Sequence, residues 1–331
     1  MNGIQKVIKY CAMAFALFLA VSIFGAIVAG VTGLAVGVTG IKQITDNTER
    51  TDLSQQYTET EISDLGIHTV YVDCNADITV RRGTILSIEA TDVATDYEIK
   101  CTNGKFSIVQ DRTGISIDWD WLFDLGNVTV QETVVVTVPE SFDARQIVVN
   151  SGSGKVIVED IEAKELKIDS GSGAVVAERL EAELLLIDSG SGRVTVNDVI
   201  AGETRMDTGS GGVTIENGLL GRLNLNSGSG TILMNAIEAK DVVLDSGSGS
   251  VTIKGVLSGN CDFETGSGSL SIALDGAKEE YLVKAKCGSG TFRINGKKVD
   301  DGSYGTDVKG ALVINSGSGS VNVDFNTPEA E

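Results

Sequence analysis

Ser151-Gly-Ser-Gly-Lys-Val-Ile-Val-Glu-Asp-Ile-Glu-Ala-Lys-Glu-Leu-Lys-Ile-Asp169 decides the fold, because the chain keeps returning to its frame. The opening Ser/Thr-Gly-Ser-Gly recurs at Ser170, Ser189, Thr208, Ser227, Ser246 and Thr265, each time 19 residues on. It recurs again as Cys287-Gly-Ser-Gly and Ser316-Gly-Ser-Gly, after 22 and 29 residues. A fixed period of this size marks a solenoid, in which each repeat stacks on the next. Within the quoted stretch Val156 and Val158 alternate with Lys155, Ile157 and Glu159, and Leu166 and Ile168 alternate with Glu165, Lys167 and Asp169. Period two means strands with one buried face. Val175, Ala177, Leu185 and Ile187 keep the pattern, as do Val213, Ile215, Leu223 and Leu225, then Ile232, Met234, Val242 and Leu244. Each coil reads as two strands of about five residues. A small residue sits at the corner between them: Ala163, Ala182, Ala201, Gly221 and Ala239. A lone coil cannot bury its apolar row, but stacked coils can. The recurring glycines are expected where the chain turns with positive φ. The expectation is an all-β, parallel β-solenoid with 19-residue coils, its handedness open.

One transmembrane helix is expected before it. Cys11 to Ile41 is a run of 31 residues without a charge, against the ~20 needed to cross a bilayer. It is too long for the apolar part of a cleaved signal peptide, and nothing before Cys11 prepares it for lipoprotein processing. Lys6 and Lys9 precede the run, while Asp46, Glu49 and Asp52 follow. The positive-inside rule then puts the N-terminus in the cytoplasm and the rest outside the cell membrane, as a single-pass protein. Gly25, Ala29, Gly33 and Gly37 form a row of small residues, each four apart. Such rows let membrane helices approach, here a partner's helix or a second copy; the plainer alternative is that Gly is common in membrane helices. The expected organisation is residues 1–41 as cytoplasmic tip and anchor and 42–61 as a polar linker. Residues 62–326 form the solenoid, and 327–331 a tail. The solenoid divides into degenerate coils over 62–150, regular coils over 151–286 and variable coils over 287–326.

In the degenerate part, Cys74-Asn75-Ala76-Asp77 falls where Ser-Gly-Ser-Gly belongs, and Ile99 to Gly104 leads into Lys105-Phe106-Ser107-Ile108 in the same way. Thr133 to Val149 supplies another coil through Val134, Val136, Val138, Pro139, Phe142, Ile147 and Val149. The string Thr133-Val-Val-Val-Thr-Val-Pro-Glu140, followed by strand pairs closed by Ser-Gly-x-Gly, resembles the bacterial putative-adhesin family of β-strand repeats, formerly filed as a domain of unknown function. The resemblance covers residues 62 to 325. It implies a membrane-anchored envelope protein with a β-solenoid ectodomain, and it carries no catalytic residues.

Between Asp111 and Asn127 the pattern breaks around Trp119, Trp121 and Phe123. This reads as a loop capping the core, since solenoid ends need covers; the functional alternative is an aromatic ligand platform. Cys261 aligns with Val242 and Leu166 and is expected to be an inert core thiol. Cys74, Cys101 and Cys287 take the first turn position. If the coils of Cys74 and Cys101 are neighbours, their Cα atoms fall within reach of a disulfide.

The chemistry available is narrow. The single histidine, His68, lies in an expected strand, which leaves no His-rich metal site or second histidine for a triad. Carboxylate pairs are abundant, but the regular coils lack the loops that shape a substrate site. No enzyme and no cofactor is expected. Net charge is −20, and since Lys6, Lys9 and Lys42 precede the first acid, the remainder carries 46 acids against 23 bases. That repels nucleic acid and keeps sheet edges apart. The residues just before each turn read Asn150, Asp169, Asp188, Asp207, Asn226, Asp245, Glu264, Lys286 and Asn315. Stacked ~4.8 Å apart, Asp169, Asp188 and Asp207 form a candidate Ca²⁺ ladder. The preferred alternative is local: Asp or Asn accepts a hydrogen bond from the N–H two residues on and fixes the turn. The function expected is adhesion or surface binding, with an unidentified surface ligand or envelope protein as partner. The other class is an accessory part in envelope-stress signalling or transport, acting through the membrane helix.

Overall fold

The computed structural model describes residues 51–93, 97–110, 132–306 and 308–326. The expected membrane run with Gly25, Ala29, Gly33 and Gly37, and the segment with Trp119, Trp121 and Phe123, lie outside them. Among the described residues no helix is long and apolar enough to cross a membrane. The chain opens with β1 (Thr51–Tyr57) and α1 (Glu59–Leu65), then β2 (Thr69–Cys74), β3 (Asp77–Gly83), β4 (Leu86–Val93), β5 (Tyr97–Thr102) and β6 (Lys105–Gln110). β7 (Thr133–Pro139) and β8 (Gln146–Ser151) lead into the regular coils β9 (Val156–Ser170), β10 (Val175–Ser189), β11 (Val194–Thr208), β12 (Val213–Ser227), β13 (Ile232–Ser246) and β14 (Val251–Thr265). After these come β15 (Leu270–Asp275), β16 (Tyr281–Cys287), β17 (Phe292–Ile294), β18 (Lys297–Val299), β19 (Gly302–Gly305), β20 (Gly310–Ser316) and β21 (Val321–Asn326).

The regular coils stack in parallel register at 19 residues, as where Val156 pairs with Val175 and Val175 with Val194, with a one-residue slip between β13 and β14 from Ile237 to Lys240. The rows expected to be apolar are the core, with Val156, Val158, Leu166 and Ile168 at 0–1% exposure. The coil differs from the expected pair of short strands. One strand runs through 15 residues, its pairing with the next coil skipping only Asp160 and Lys164, and the alternation slips twice. Two successive residues face outward at Glu159–Asp160 and again at Lys164–Glu165. Each slip turns the chain while the inter-coil hydrogen bonds continue. The first corner is a left-handed residue, at Asp160, Arg179, Asp198, Asn217 and Ala236, with φ between 51° and 56°. Asp and Asn tolerate that conformation better than most. Ala163, Ala182, Ala201 and Ala239 are therefore core residues and not corners. The register sets Leu220, not Gly221, opposite Ala201 and Ala239.

The Ser-Gly-Ser-Gly glycines have a different cause from the expected one, since none has a positive φ. A Cβ on the second glycine of the turn, as at Gly173, Gly192, Gly211 or Gly230, would lie 1.8 Å from the carbonyl oxygen of the equivalent glycine one coil back. On the first glycine, as at Gly171 or Gly190, it would lie 2.4–2.5 Å away. Stacked backbones touch here, and no side chain fits between them.

Both ends depart from simple sequential stacking. Near the N-terminus the coil of β2 and β3 sits between β8–β9 and β6–β7, since β2 pairs with both β8 and β6, and β3 with both β9 and β7. The C-terminal end mirrors it. β20 pairs with β14 and β16, and β21 with β15 and β17, so the last coil in sequence is inserted beneath the one before it. Antiparallel strands then stop the stack: β4 on β7, β1 on β4 and β5 on β6 at one end, β18 on β17 and β19 on β16 at the other. Tyr57 closes over Phe106 at 5.0 Å between ring centroids, and Tyr304 over Phe292 at 5.9 Å.

Two expectations change with this. Residues 51–57, expected as linker, are the edge strand β1. The following helix is capped by Thr58 and Glu61, which exchange hydrogen bonds as a capping box. Ile99 to Gly104 is not a worn coil: it is the first arm of a hairpin turning at Asn103 (φ 52°) and Gly104 (φ 72°), a pair suited to a tight hairpin. Cys101 then sits opposite Phe106, and Phe106 opposite Val70, four residues from Cys74. That is roughly 13 Å along a strand, so the two sulfurs cannot bond.

Candidate functional site

Two outer surfaces of the stack gather polar groups in register. The first is the turn column. Asn150, Asp169, Asp188, Asp207, Asn226, Asp245 and Glu264 are successive register partners. Asn315 comes next and Lys286 after it, because the terminal coil is inserted. Asp169, Asp188 and Asp207 are exposed and face one shallow trough. Burial first, then the carboxylates of Asp207 and Asp169, raise the Asp188 carboxyl above its ordinary value. Asn226 relieves the end of the row by donating from Nδ2 to Asp207 Oδ1 at 2.7 Å. The expected turn hydrogen bond does not form. Gly190 N–H, two residues after Asp188, donates to Ser170 O of the preceding coil at 3.0 Å, and Gly171 N–H to Ser151 O at 2.9 Å. The ladder between coils has taken those donors. The sequence places the three aspartates in one line, but among the described residues no group of three His, Cys, Asp or Glu side chains is arranged to hold a metal ion.

The corner column shows what a compensated line looks like. Arg179 Nε meets Asp160 Oδ1 at 2.7 Å and Nη2 meets Glu159 at 3.4 Å; the guanidinium also pairs with Glu178. The hydrogen bond from Arg179 holds the Asp160 carboxyl below its usual range. Next in line, Asn217 Nδ2 donates to Asp198 Oδ1 at 3.0 Å. Charge is thus partly offset by Arg179 at the corner, while among the described residues no cation stands between the three aspartates of the turn column.

The second surface is a groove of about 610 Å³ on the face that follows the corner. One wall is the end of β7 at Pro139 and the loop after it, through Glu140 and Asp143; Phe142 within the loop is buried. The loop is held where Lys164 N–H donates to Ala144 O at 2.9 Å and Glu165 N–H to Arg145 O at 3.0 Å. The floor presents the outward residues of three coils, Glu162 and Lys164, Glu181 and Glu183, then Ile200 and Gly202. Arg82 spans the wall and the corner, with Nη1 at 3.1 Å from Glu140 and Nε donating to Asp160 O at 3.0 Å. Ile200 is 50% exposed, and its register partner Leu219 49%. Sequence reading passed over this surface. The signal was present, since Ile200 and Leu219 occupy an outward row that holds Glu162 and Glu181 before them and Glu238 after them.

The remaining candidates are dispersed. Cys261 is 1% exposed in the core, and burial pushes its thiol up to about 11, which makes it a poor nucleophile at neutral pH. His68 lies just before β2, half-buried, with Nδ1 at 2.9 Å from Thr69 Oγ1. These groups do not converge on a common point.

A family model described as Toastrack DUF4097 matches residues 67–238 and again residues 218–331. No curated protein matches the chain. Among solved structures, a "putative adhesin" from Parabacteroides merdae is similar over 84% of this chain and 97% of its own, at 13% identity and a TM-score of 0.50. A "putative lipid binding protein" from Parabacteroides distasonis is similar over 82% and 96%, at 15% identity and a TM-score of 0.49. A "putative adhesin" from Bacteroides fragilis covers 82% and 97%, at 13% identity and a TM-score of 0.35. The likeness to the P. merdae protein is one of fold.

Proposed function

The chain belongs to the Toastrack family, and from that premise we propose that it is a membrane-anchored bacterial envelope protein whose solenoid is a non-enzymatic binding scaffold. Residues 11–41 are the anchor, the N-terminus is cytoplasmic and the stack stands outside the membrane. The observation that carries the binding reading is the outer surface of the regular coils. Its polar groups are spread along rows with a repeat of one coil, and it holds a long acidic groove with an apolar shoulder. Catalysis instead needs acid, base and nucleophile brought to one point. The adhesin named for two of the similar structures is consistent with this role.

A second reading rests on the row Gly25, Ala29, Gly33 and Gly37: an accessory part in envelope-stress signalling or transport, acting through the membrane helix. One experiment separates the two. Residues 11–41 are replaced by an unrelated membrane helix in the full chain, and cells are assayed for attachment and for envelope-stress output. Attachment that depends on the chain and survives the exchange supports the scaffold. A stress phenotype lost on exchange, with no attachment in either case, supports the accessory role. Protease added to spheroplasts checks the topology. It should digest residues 42–331, and protection of that portion overturns the orientation.

A further inference from the structure

The groove beside the loop after β7 is divided along its length. Near the loop its outward rows are acidic, with Glu162, Glu181 and Glu183 exposed on the floor and Glu140 and Asp143 on the wall. Six carboxylates line it against two bases; Asp160 is paired with Arg179 and Glu140 with Arg82, which leaves Asp143, Glu162, Glu181 and Glu183 against Lys164. Farther along the same rows the character changes within one coil. Glu181 gives way to its register partners Ile200 and then Leu219, and Glu183 to Gly202 and then Gly221, which stack on it backbone to backbone. The glycines leave bare backbone beside the two apolar side chains. Among the described residues, Ile200 and Leu219 are the one pair of exposed large apolar side chains that are register partners. From Glu162 to Leu219 is three coil steps, about 14 Å.

We propose that this strip docks a segment of a partner protein in which a basic cluster adjoins large apolar side chains, the basic part beside the loop and the apolar part over Ile200 and Leu219. The proposal rests on the scaffold reading and names the partner's chemistry. Charge complementarity selects the occupant. A second copy of this chain, at net −20, would bring acid to acid. A nucleic acid is repelled for the same reason. Neutral lipid fits the shoulder but leaves the acidic half unanswered.

The test uses the full chain in detergent micelles and a short fluorescent peptide with lysines in one half and leucines in the other, read by anisotropy. Ile200→Ser with Leu219→Ser should weaken binding about tenfold, from two half-exposed side chains that lose their cover in the complex. Glu181→Gln with Glu183→Gln should also weaken it and flatten its salt dependence. Asp169→Asn, Asp188→Asn and Asp207→Asn together, on the turn column, should leave it unchanged. All these side chains are exposed, and melting curves verify that the variants fold. The proposal is overturned if the peptide does not bind, or if the turn-column variant weakens binding as much as the groove variants, which is general adsorption to acid. It is also overturned if phosphatidylcholine vesicles bind in a manner that Ile200→Ser and Leu219→Ser abolish while the lysine half of the peptide proves dispensable. Cell attachment measured on the same variants keeps the two readings apart. Attachment unchanged in groove variants that no longer bind peptide removes the groove and leaves the scaffold standing.

Discussion

Gly211 and Gly212 are adjacent in sequence and stand in opposite situations. A Cβ at Gly211 would lie 1.8 Å from Gly192 O, whereas one at Gly212 would meet Thr231 O at 3.4 Å, an ordinary contact. Ala174 and Arg193 already occupy the place of Gly212 in the two preceding coils. For Gly211→Ala the shortfall is about 1.6 Å, against backbone that cannot rotate away. Relief requires the two coils to part at the turn. That lengthens the bonds from Gly209 N–H to Ser189 O and from Ser210 N–H to Gly190 O, both 3.0 Å, beyond useful range. Two net hydrogen bonds of ~1 kcal/mol each, with overpacking of ~1–3 kcal/mol, give a destabilisation of roughly 3–5 kcal/mol. Gly212→Ala should fall within ~0.5 kcal/mol of wild type. Thermal and denaturant unfolding of the two single variants, with hydrogen exchange at the 189–212 turns, measures the difference. If both substitutions cost the same, or Gly211→Ala costs nothing, the close-approach account of the repeat glycines is wrong.

Three further outcomes are expected. Thr204 is fully buried in the core row and its Oγ1 has no hydrogen-bond partner, so Thr204→Val should stabilise by about 1 kcal/mol; a loss of stability in urea unfolding would mean the hydroxyl is satisfied after all. Deleting residues 308–331 removes Leu312, Ile314, Val321 and Val323, each at most 1% exposed, and takes the support from under β16 and β17. At ~1.5–3 kcal/mol per buried side chain the loss approaches a whole domain's stability, and limited proteolysis should find 278–305 cleaved while 132–265 stays protected; continued protection of 278–305 would show that the stack can close again. The raised Asp188 carboxyl binds its proton more readily folded than unfolded, so it detracts from stability at neutral pH, and that penalty disappears as pH falls through the raised value toward the unfolded one. Asp188→Asn should therefore raise the melting temperature slightly at pH 7, by less than ~1 kcal/mol of stability at so exposed a site, and the gap should close in acid; a gap that widens in acid contradicts the sign.

Sequence periodicity was enough to determine the all-β class, the 19-residue coil, the inward rows such as Val156, Val158, Leu166 and Ile168, and the alignment of Cys74-Asn75-Ala76-Asp77 with the turns, where Cys74 pairs with Ser151. These follow from local alternation and from identity between repeats, both of which a linear string records. The corner at Asp160 was legible only as a slip in the alternation, and the capping box of Thr58 and Glu61 only as a motif among polar residues. The reason for the repeat glycines was not legible, because a steric contact between coils leaves the same letter as a left-handed turn. Nor could the string show that Gly190 N–H is taken by Ser170 O, which removes the turn role expected for Asp188. The tertiary structure alone decided the order of the end coils. Any strand of matching length and alternation satisfies the same row of backbone donors and acceptors. Which one lies beneath Thr265, Cys287 or Ser316 depends on β18 and β19, which pair antiparallel with β17 and β16 and leave the other edge of those strands to β21 and β20. The groove arises the same way. Ile200 and Leu219 are two ordinary letters 19 apart, and they become a shoulder only because stacking sets them side by side and the loop after β7 supplies the opposite wall.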